Sequence, residues 1–226
     1  RDRSPSRGLG DVYKRQALYS ELGGNCRVLT IDYRVAPEHP YPAALEDTIA
    51  AYHWLLEQGY PAEKIVVAGD SAGGGLALAL CLWLKNHKEP LPSGVIAMSP
   101  WTDLTISGES VETNFEKDPL FGKTRDSMLY NKDYLGENDP TNEYISPLFG
   151  DYEGFPPLLI QVGSYEMLLS DSTRVAKKAK EAGGKVKLSI YEGMFHVFQM
   201  AMLLMPESKK AWAEIKRFLH YLDACL

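Results

Sequence analysis

Ser71 stands in the run Lys64-Ile-Val-Val-Ala-Gly-Asp-Ser-Ala-Gly-Gly-Gly75, a short β-branched segment that leads through Gly69-Asp70-Ser71-Ala72-Gly73 into the apolar stretch Leu76 to Leu84. Gly-x-Ser-x-Gly between a strand and a helix is the pattern of a nucleophile elbow. The small residues Gly69, Gly73 and Gly74 let strand and helix pack closely, and the bend lifts the serine hydroxyl above the end of a sheet. A hydroxyl seated there can attack a carbonyl carbon.

Such a serine needs a base and a carboxylate to orient that base, and after an elbow they follow in the order Ser, Asp/Glu, His. Of the five histidines, only His196 falls in a loop after the last predicted strand, in Glu192-Gly-Met-Phe-His-Val. His53, His87 and His220 fall in predicted helices, and His39 precedes Ser71. Glu166 is the expected carboxylate, because Gly163-Ser-Tyr-Glu166 follows the strand-like Pro157–Val162 at its carboxyl end, where functional loops of open α/β sheets gather. Asp103 is a competing candidate after Gly94–Ser99, and Asp171 reads as the cap of the next helix.

These residues require a scaffold of short parallel strands. β-rich runs occur at Arg27–Tyr33, Lys64–Ala68, Gly94–Ser99, Pro157–Val162 and Lys185–Tyr191, mostly apolar, as strands covered on both faces should be. Helices are expected from Pro42 to about Leu56, from Ser170 to Ala182, and from Pro206 to about Leu222, the last with Trp212, Ile215, Leu219 and Leu222 on one face. Strand and helix in alternation imply an α/β fold with a doubly wound, mostly parallel sheet. Pro100 to Phe155 is too long for an ordinary connection and is expected to be an insertion over the site. Trp101 would line the pocket beneath it.

The 226 residues fit one domain, and the net charge of −6 disfavours a nucleic-acid partner. No run has the length of a membrane-spanning helix, and a cytoplasmic location is expected. Cys26, Cys81 and Cys225 are too few and too scattered for a disulfide framework, and read as small hydrophobes. No metal-ligand spacing or nucleotide loop occurs, since Gly73-Gly74-Gly75 is followed by no lysine. No cofactor is expected. Oligomeric state is left open.

Arg1 to Gln16 carries five Lys/Arg without periodicity, and Asp11-Val-Tyr-Lys-Arg-Gln16 looks like a translated sequencing adaptor. Residues 1–16 are expected to be a non-native scar, and residues 17–226 a partial hydrolase domain.

Asp32-Tyr-Arg-Val-Ala-Pro-Glu-His-Pro-Tyr-Pro-Ala-Ala44, Gly69-Asp-Ser-Ala-Gly-Gly74, Ser99-Pro-Trp-Thr-Asp-Leu104 and the segments around Glu166 and His196 together resemble the bacterial hormone-sensitive-lipase-like esterases of the α/β-hydrolase fold. The resemblance runs from about Ala17 to the C-terminus. It implies hydrolysis of carboxylic esters of small or short-chain acyl groups, or of a lactone, with Ser71 as nucleophile, His196 as base then acid, and Glu166 as the orienting carboxylate. It also implies that a His-Gly-Gly-Gly oxyanion segment and the strand before it should stand upstream of Asp32, where neither is found, which leaves the Ala72 N–H as the identifiable oxyanion donor. Loss of one oxyanion donor costs about 2.7–4 kcal/mol of transition-state stabilisation. The chain as given is therefore expected to be unstable or inactive, with a gap between Arg27–Tyr33 and Lys64–Ala68. A ligand-binding protein on the same fold, like the gibberellin receptors, is the alternative, against which the presence of His196 speaks. An amidase or peptidase would share the triad.

Overall fold

The computed structural model describes residues 27–122 and 132–222, apart from the side chains of residues 202 and 203. Residues 1–16, with the expected scar, lie outside the described residues, as do Cys26 and Cys225.

Four strands, β1 (Val66–Asp70), β2 (Gly94–Met98), β3 (Leu158–Gly163) and β4 (Val186–Tyr191), form one sheet in the order β1-β2-β3-β4. Every pairing is parallel, with Asp70 opposite Met98, Met98 opposite Gln161 and Gly163 opposite Tyr191. The carboxyl ends of neighbouring strands therefore lie side by side. The connections are the helices α1 (Ala43–Glu57), before β1, α2 (Ala72–Asn86) and α5 (Leu169–Glu181), with α6 (Pro206–Tyr221) closing the chain. Two single helical turns, α3 (Ser110–Thr113) and α4 (Lys132–Leu135), lie between β2 and β3.

Strand alternation divides the core between the two faces of the sheet. Val95, Ala97, Leu158 and Ile160 meet Leu78, Cys81 and Leu82 of α2 and Val175 and Ala179 of α5. Ile96, Met98 and Leu159 point the other way and meet Trp212, Ile215 and Leu219 of α6. Helices thus cover both faces, and every residue of β2 and β3 is buried. The outer side of α2, through Leu80 and Leu84, packs with Tyr52 of α1 and Ile65. Cys81 is buried and free, and burial pushes its thiol far above the ordinary range.

Two sequence expectations need correction. Arg27–Tyr33 forms no strand, and among the described residues β1 pairs only with β2. Hydrophobic alternation is only a capacity for pairing, because a strand is stable only when its backbone groups have a ladder partner. Leu29 and Ile31 are exposed, and Arg27 donates to the Tyr60 hydroxyl with its guanidinium 5.8 Å from the centre of that ring. The neighbouring Arg34 reaches α1, pairing with Glu46 at 2.8 Å and Asp47 at 2.9 Å. The second correction concerns Pro100 to Phe155, which is not wholly an insertion over one edge. Leu148, Tyr152 and Phe155 belong to the main core against α2 and α5.

Candidate active site

β1 ends at Asp70, and Ser71 follows with φ 55° and ψ −124°, a backbone conformation that costs a non-glycine residue about 1–3 kcal/mol. The bend is held from both sides. Ser71 N–H donates to Met98 C=O at 2.9 Å, and Ser71 C=O accepts from Trp101 N–H at 2.9 Å and Gly75 N–H at 3.1 Å. A Cβ on Gly69 would stand 2.1 Å from Gly73 O, and one on Gly75 would stand 2.2 Å from Trp101 O. Gly74 is nearly as confined, by Pro100. Gly73 has open space instead, so its backbone is what Gly69 packs against, and its own missing side chain is not required by close packing. Ala72 is the first residue of α2, where N–H groups lack intrahelical partners and the helix dipole favours negative charge.

Glu166 follows β3 and has no exposed surface. Its Oε1 accepts from Ser99 Oγ at 2.7 Å and Gly163 N–H at 2.5 Å, and its Oε2 lies 2.9 Å from His196 Nδ1. Placing Nδ1 against the carboxylate directs Nε2 away from it, which suits that nitrogen to accept a proton. His196 is 7% exposed, and its ring lies 4.6 Å from the Phe121 ring, centre to centre.

The loop that carries His196 leaves β4 and turns back across the sheet. It clears the end of β3 because Gly163 has no side chain; a Cβ there would meet Met194 O at 2.2 Å. Beyond it, Val197 N–H donates to Ser99 Oγ at 3.1 Å. Ser99 immediately follows β2, the strand beside β1, so this loop is anchored one strand from Ser71. Both Ser99 (φ 48°) and Val197 (φ 53°) have left-handed backbones, which are costly for residues other than glycine, asparagine and aspartate.

The region between β2 and β3 secures the Glu166 loop from outside. Asn114 donates through Nδ2 to Ser164 C=O and Glu166 C=O, Asp118 accepts from Met167 N–H at 2.8 Å, and Ser110 Oγ donates to Met167 C=O at 2.6 Å. Trp101 packs with Val111, Phe121, Met167 and Leu168, and its Nε1 donates to Asp103 C=O.

Asp103, the competing carboxylate, lies elsewhere. It accepts from Thr105, Ser107 and Arg174, the last at 2.8 Å. Burial pushes its pKa up, but these donors outweigh burial and hold the carboxyl below its ordinary value. Asp171 does not cap its helix, since it lies inside α5 beyond the cap residue Leu168. Its Oδ2 accepts from Thr102 N–H at 2.6 Å and Asp103 N–H at 2.9 Å. Burial pushes its pKa up to about 7, against the lowering effect of these amides and of Arg174.

Among the described residues, no group of three or more His, Cys, Asp or Glu side chains could hold a metal ion, and no helix is long and apolar enough to cross a membrane. Ser99, Asn114, Asp118, Phe121 and Gly163 also contact the site, a role that no pattern of residue types assigns to them. Only Ser99 has a local signal, a polar residue at the end of a predicted strand and just before a proline.

A family model described as alpha/beta hydrolase fold matches residues 12–200. An esterase of Acinetobacter venetianus is 43% identical over 218 residues, covering 95% of this chain and 72% of the relative. An acetyl-hydrolase of Streptomyces hygroscopicus is 41% identical, with 91% of this chain and 69% of the relative covered. The solved structure of an esterase from the bacterial hormone-sensitive lipase family superposes with a TM-score of 0.86 at 44% identity, covering 91% of this chain and 68% of that one.

Proposed function

Since the chain belongs to the alpha/beta hydrolase fold family and is a carboxylesterase-type enzyme, we propose that Ser71, His196 and Glu166 carry out its ester hydrolysis. The observation that carries this reading is the 2.9 Å contact of Glu166 with His196 Nδ1, on a loop anchored one strand from a strained serine. No other carboxylate among the described residues pairs with His196.

On this reading His196 Nε2 takes the Ser71 hydroxyl proton as Oγ attacks the ester carbonyl carbon. The oxyanion forms beside Ala72 N–H at the start of α2. Collapse breaks the bond to the alkoxy oxygen, which leaves as alcohol with the proton that His196 returns. Water then gives a proton to the same nitrogen and attacks the acyl-serine carbonyl, and collapse breaks the bond to Ser71 Oγ, which takes that proton back from His196 as the carboxylic acid leaves. Glu166 keeps its contact with His196 Nδ1 and stabilises the imidazolium of both steps.

The acyl group on this reading is short. The name of the Streptomyces relative, acetyl-hydrolase, supports that size, and Phe121 against His196 with Trp101 beside it provides an apolar wall. A small ester is the sole partner in this reading, and the net charge of −6 speaks against nucleic acid. A cytoplasmic location belongs to the same reading, supported by the buried, unpaired thiol of Cys81.

Fluorophosphonate labelling followed by peptide mapping tests the assignment. Modification of Ser71, lost in Ser71→Ala together with turnover of p-nitrophenyl acetate, is the expected result. Hydrolysis retained by Ser71→Ala would remove Ser71 from the mechanism.

A further inference from the structure

We propose that Ser99 is a positioning residue whose single hydroxyl sets both the orientation of Glu166 and the reach of the His196 loop toward Ser71. The proposal rests on the reading of Ser71, His196 and Glu166 given above.

A long reach has to be stabilised. His196 enters from the end of β4, whereas Ser71 stands at the end of β1, at the opposite edge of the sheet that the described residues form. With strands about 4.8 Å apart, the loop must travel back over roughly two strand widths to bring an imidazole near Ser71. Gly163 makes room for that passage but supplies no attraction. The hydrogen bond from Val197 N–H to Ser99 Oγ does, and it acts on the residue next to His196.

The same hydroxyl completes the carboxylate. A serine hydroxyl has one proton to donate and lone pairs to accept with. Val197 N–H can only donate, so the Ser99 proton is directed to Glu166 Oε1, 2.7 Å away. Oε1 is then occupied by Ser99 and Gly163 N–H, and Oε2 faces His196. Rotation of the carboxylate about its terminal bond would break both donors at once. One side chain therefore fixes the acid, the loop of the base and the relation between them.

Ser99 has no exposed surface, so it touches no substrate. Its backbone also separates a role for the hydroxyl from a role in folding. At φ 48° glycine is unstrained, so Ser99→Gly removes the hydroxyl while relieving the backbone.

The test compares Ser99→Gly and Ser99→Ala with the unsubstituted protein by three measurements. These are kcat and KM for p-nitrophenyl acetate, the rate of Ser71 labelling by a fluorophosphonate, and hydrogen exchange at the Val197 amide. Ser99→Gly is expected to melt within a few degrees of the parent, to lose about 100-fold in kcat and in labelling rate with KM changed less than about threefold, and to exchange the Val197 amide about tenfold faster. The Ile96 amide, in β2, should be unchanged. Ser99→Ala should show the same kinetic losses with a lower melting temperature.

Retention of kcat within twofold in Ser99→Gly overturns the proposal, whatever the exchange shows. So does lost activity with Val197 exchange unchanged, because the tether would then have no part in it. Ser71→Ala and Glu166→Ala, assayed alongside, keep the two readings apart. Turnover persisting in those variants refutes the triad assignment, whereas a normal Ser99→Gly beside an inactive Ser71→Ala refutes only the role of Ser99.

Discussion

Glu166 and Asp171 lie five residues apart between the end of β3 and the first turns of α5, and both are almost wholly buried. Their surroundings differ in one respect. Glu166 gives one oxygen to fixed donors, Ser99 and Gly163, and presents the other to an imidazole that can gain and lose a proton. Asp171 turns one oxygen to the main-chain amides of residues 102 and 103, while its other oxygen is 3.5 Å from Arg174, neither of which can exchange a proton near neutral pH. Burial therefore does not by itself distinguish a carboxylate that faces an imidazole from one that holds main-chain amides. The chemistry of the facing group does.

The largest effect expected from this contrast is kinetic. Glu166→Gln should lower kcat by about 10³–10⁴-fold, because an amide cannot stabilise the imidazolium and can favour the wrong tautomer. Asp171→Asn, equally buried and close in sequence, should leave kcat within about threefold. Steady-state assays of the two variants side by side would abolish the distinction if their losses were similar.

Displacing the loop that serves Glu166 should have the next largest effect. A methyl group at residue 163 would sit 2.2 Å from Met194 O, so Gly163→Ala must shift the backbone leading to His196. Loss of about 10²-fold in kcat is expected for a misplacement on the order of 1 Å, together with a lower melting temperature. Calorimetry with kinetics on one preparation would check both.

Asp171 should instead appear in the pH dependence of stability. Its folded pKa, about 7, lies above the ordinary carboxyl value of 3.8, so the folded state holds the proton more tightly. That contribution is fully present below about pH 4 and is lost as pH rises toward 7. Asp103 acts in the opposite sense, since its lowered pKa stabilises the fold above the ordinary carboxyl range and is lost in acid. Urea unfolding of Asp171→Asn between pH 5 and pH 8 should therefore show the variant gaining stability relative to the parent as pH rises. A parallel pair of stability curves would contradict the upward shift.

The smallest change is expected at the rim of the structural carboxylate cluster. Ser107→Ala removes one donor from Asp103 but leaves Thr105 and Arg174, and should cost about 0.5–1 kcal/mol with unchanged kcat. A loss of activity there would join the Asp103 cluster to the reacting site and erase the contrast.

Much of the scaffold was legible because it is governed by local pattern. The runs that became β2, β3 and β4 were found within one or two residues, and α6 buries Trp212, Ile215 and Leu219 as its spacing implies. The elbow could be read from consecutive residues, and strand order then sufficed to direct attention to Glu166 and His196. Arg27–Tyr33 departs from its sequence pattern because pairing depends on a neighbour, and Asp171 because a carboxylate at a helix start looks like a cap whether or not a distant amide claims it.

The amino-acid order by itself determined the strained seat of Ser71, the parallel alternation of strand and helix, and the presence of a carboxylate and an imidazole after the Gly69–Gly73 bend. Only the tertiary structure decided which carboxylate faces the imidazole and what holds that imidazole in reach. The hydroxyl of Ser99 bonds to residues 67 and 98 positions away, and Asn114 and Asp118 bond to the Glu166 loop across some fifty. Periodicity and propensity act over a few residues, whereas these contacts exist only after the sheet has brought the ends of its strands together.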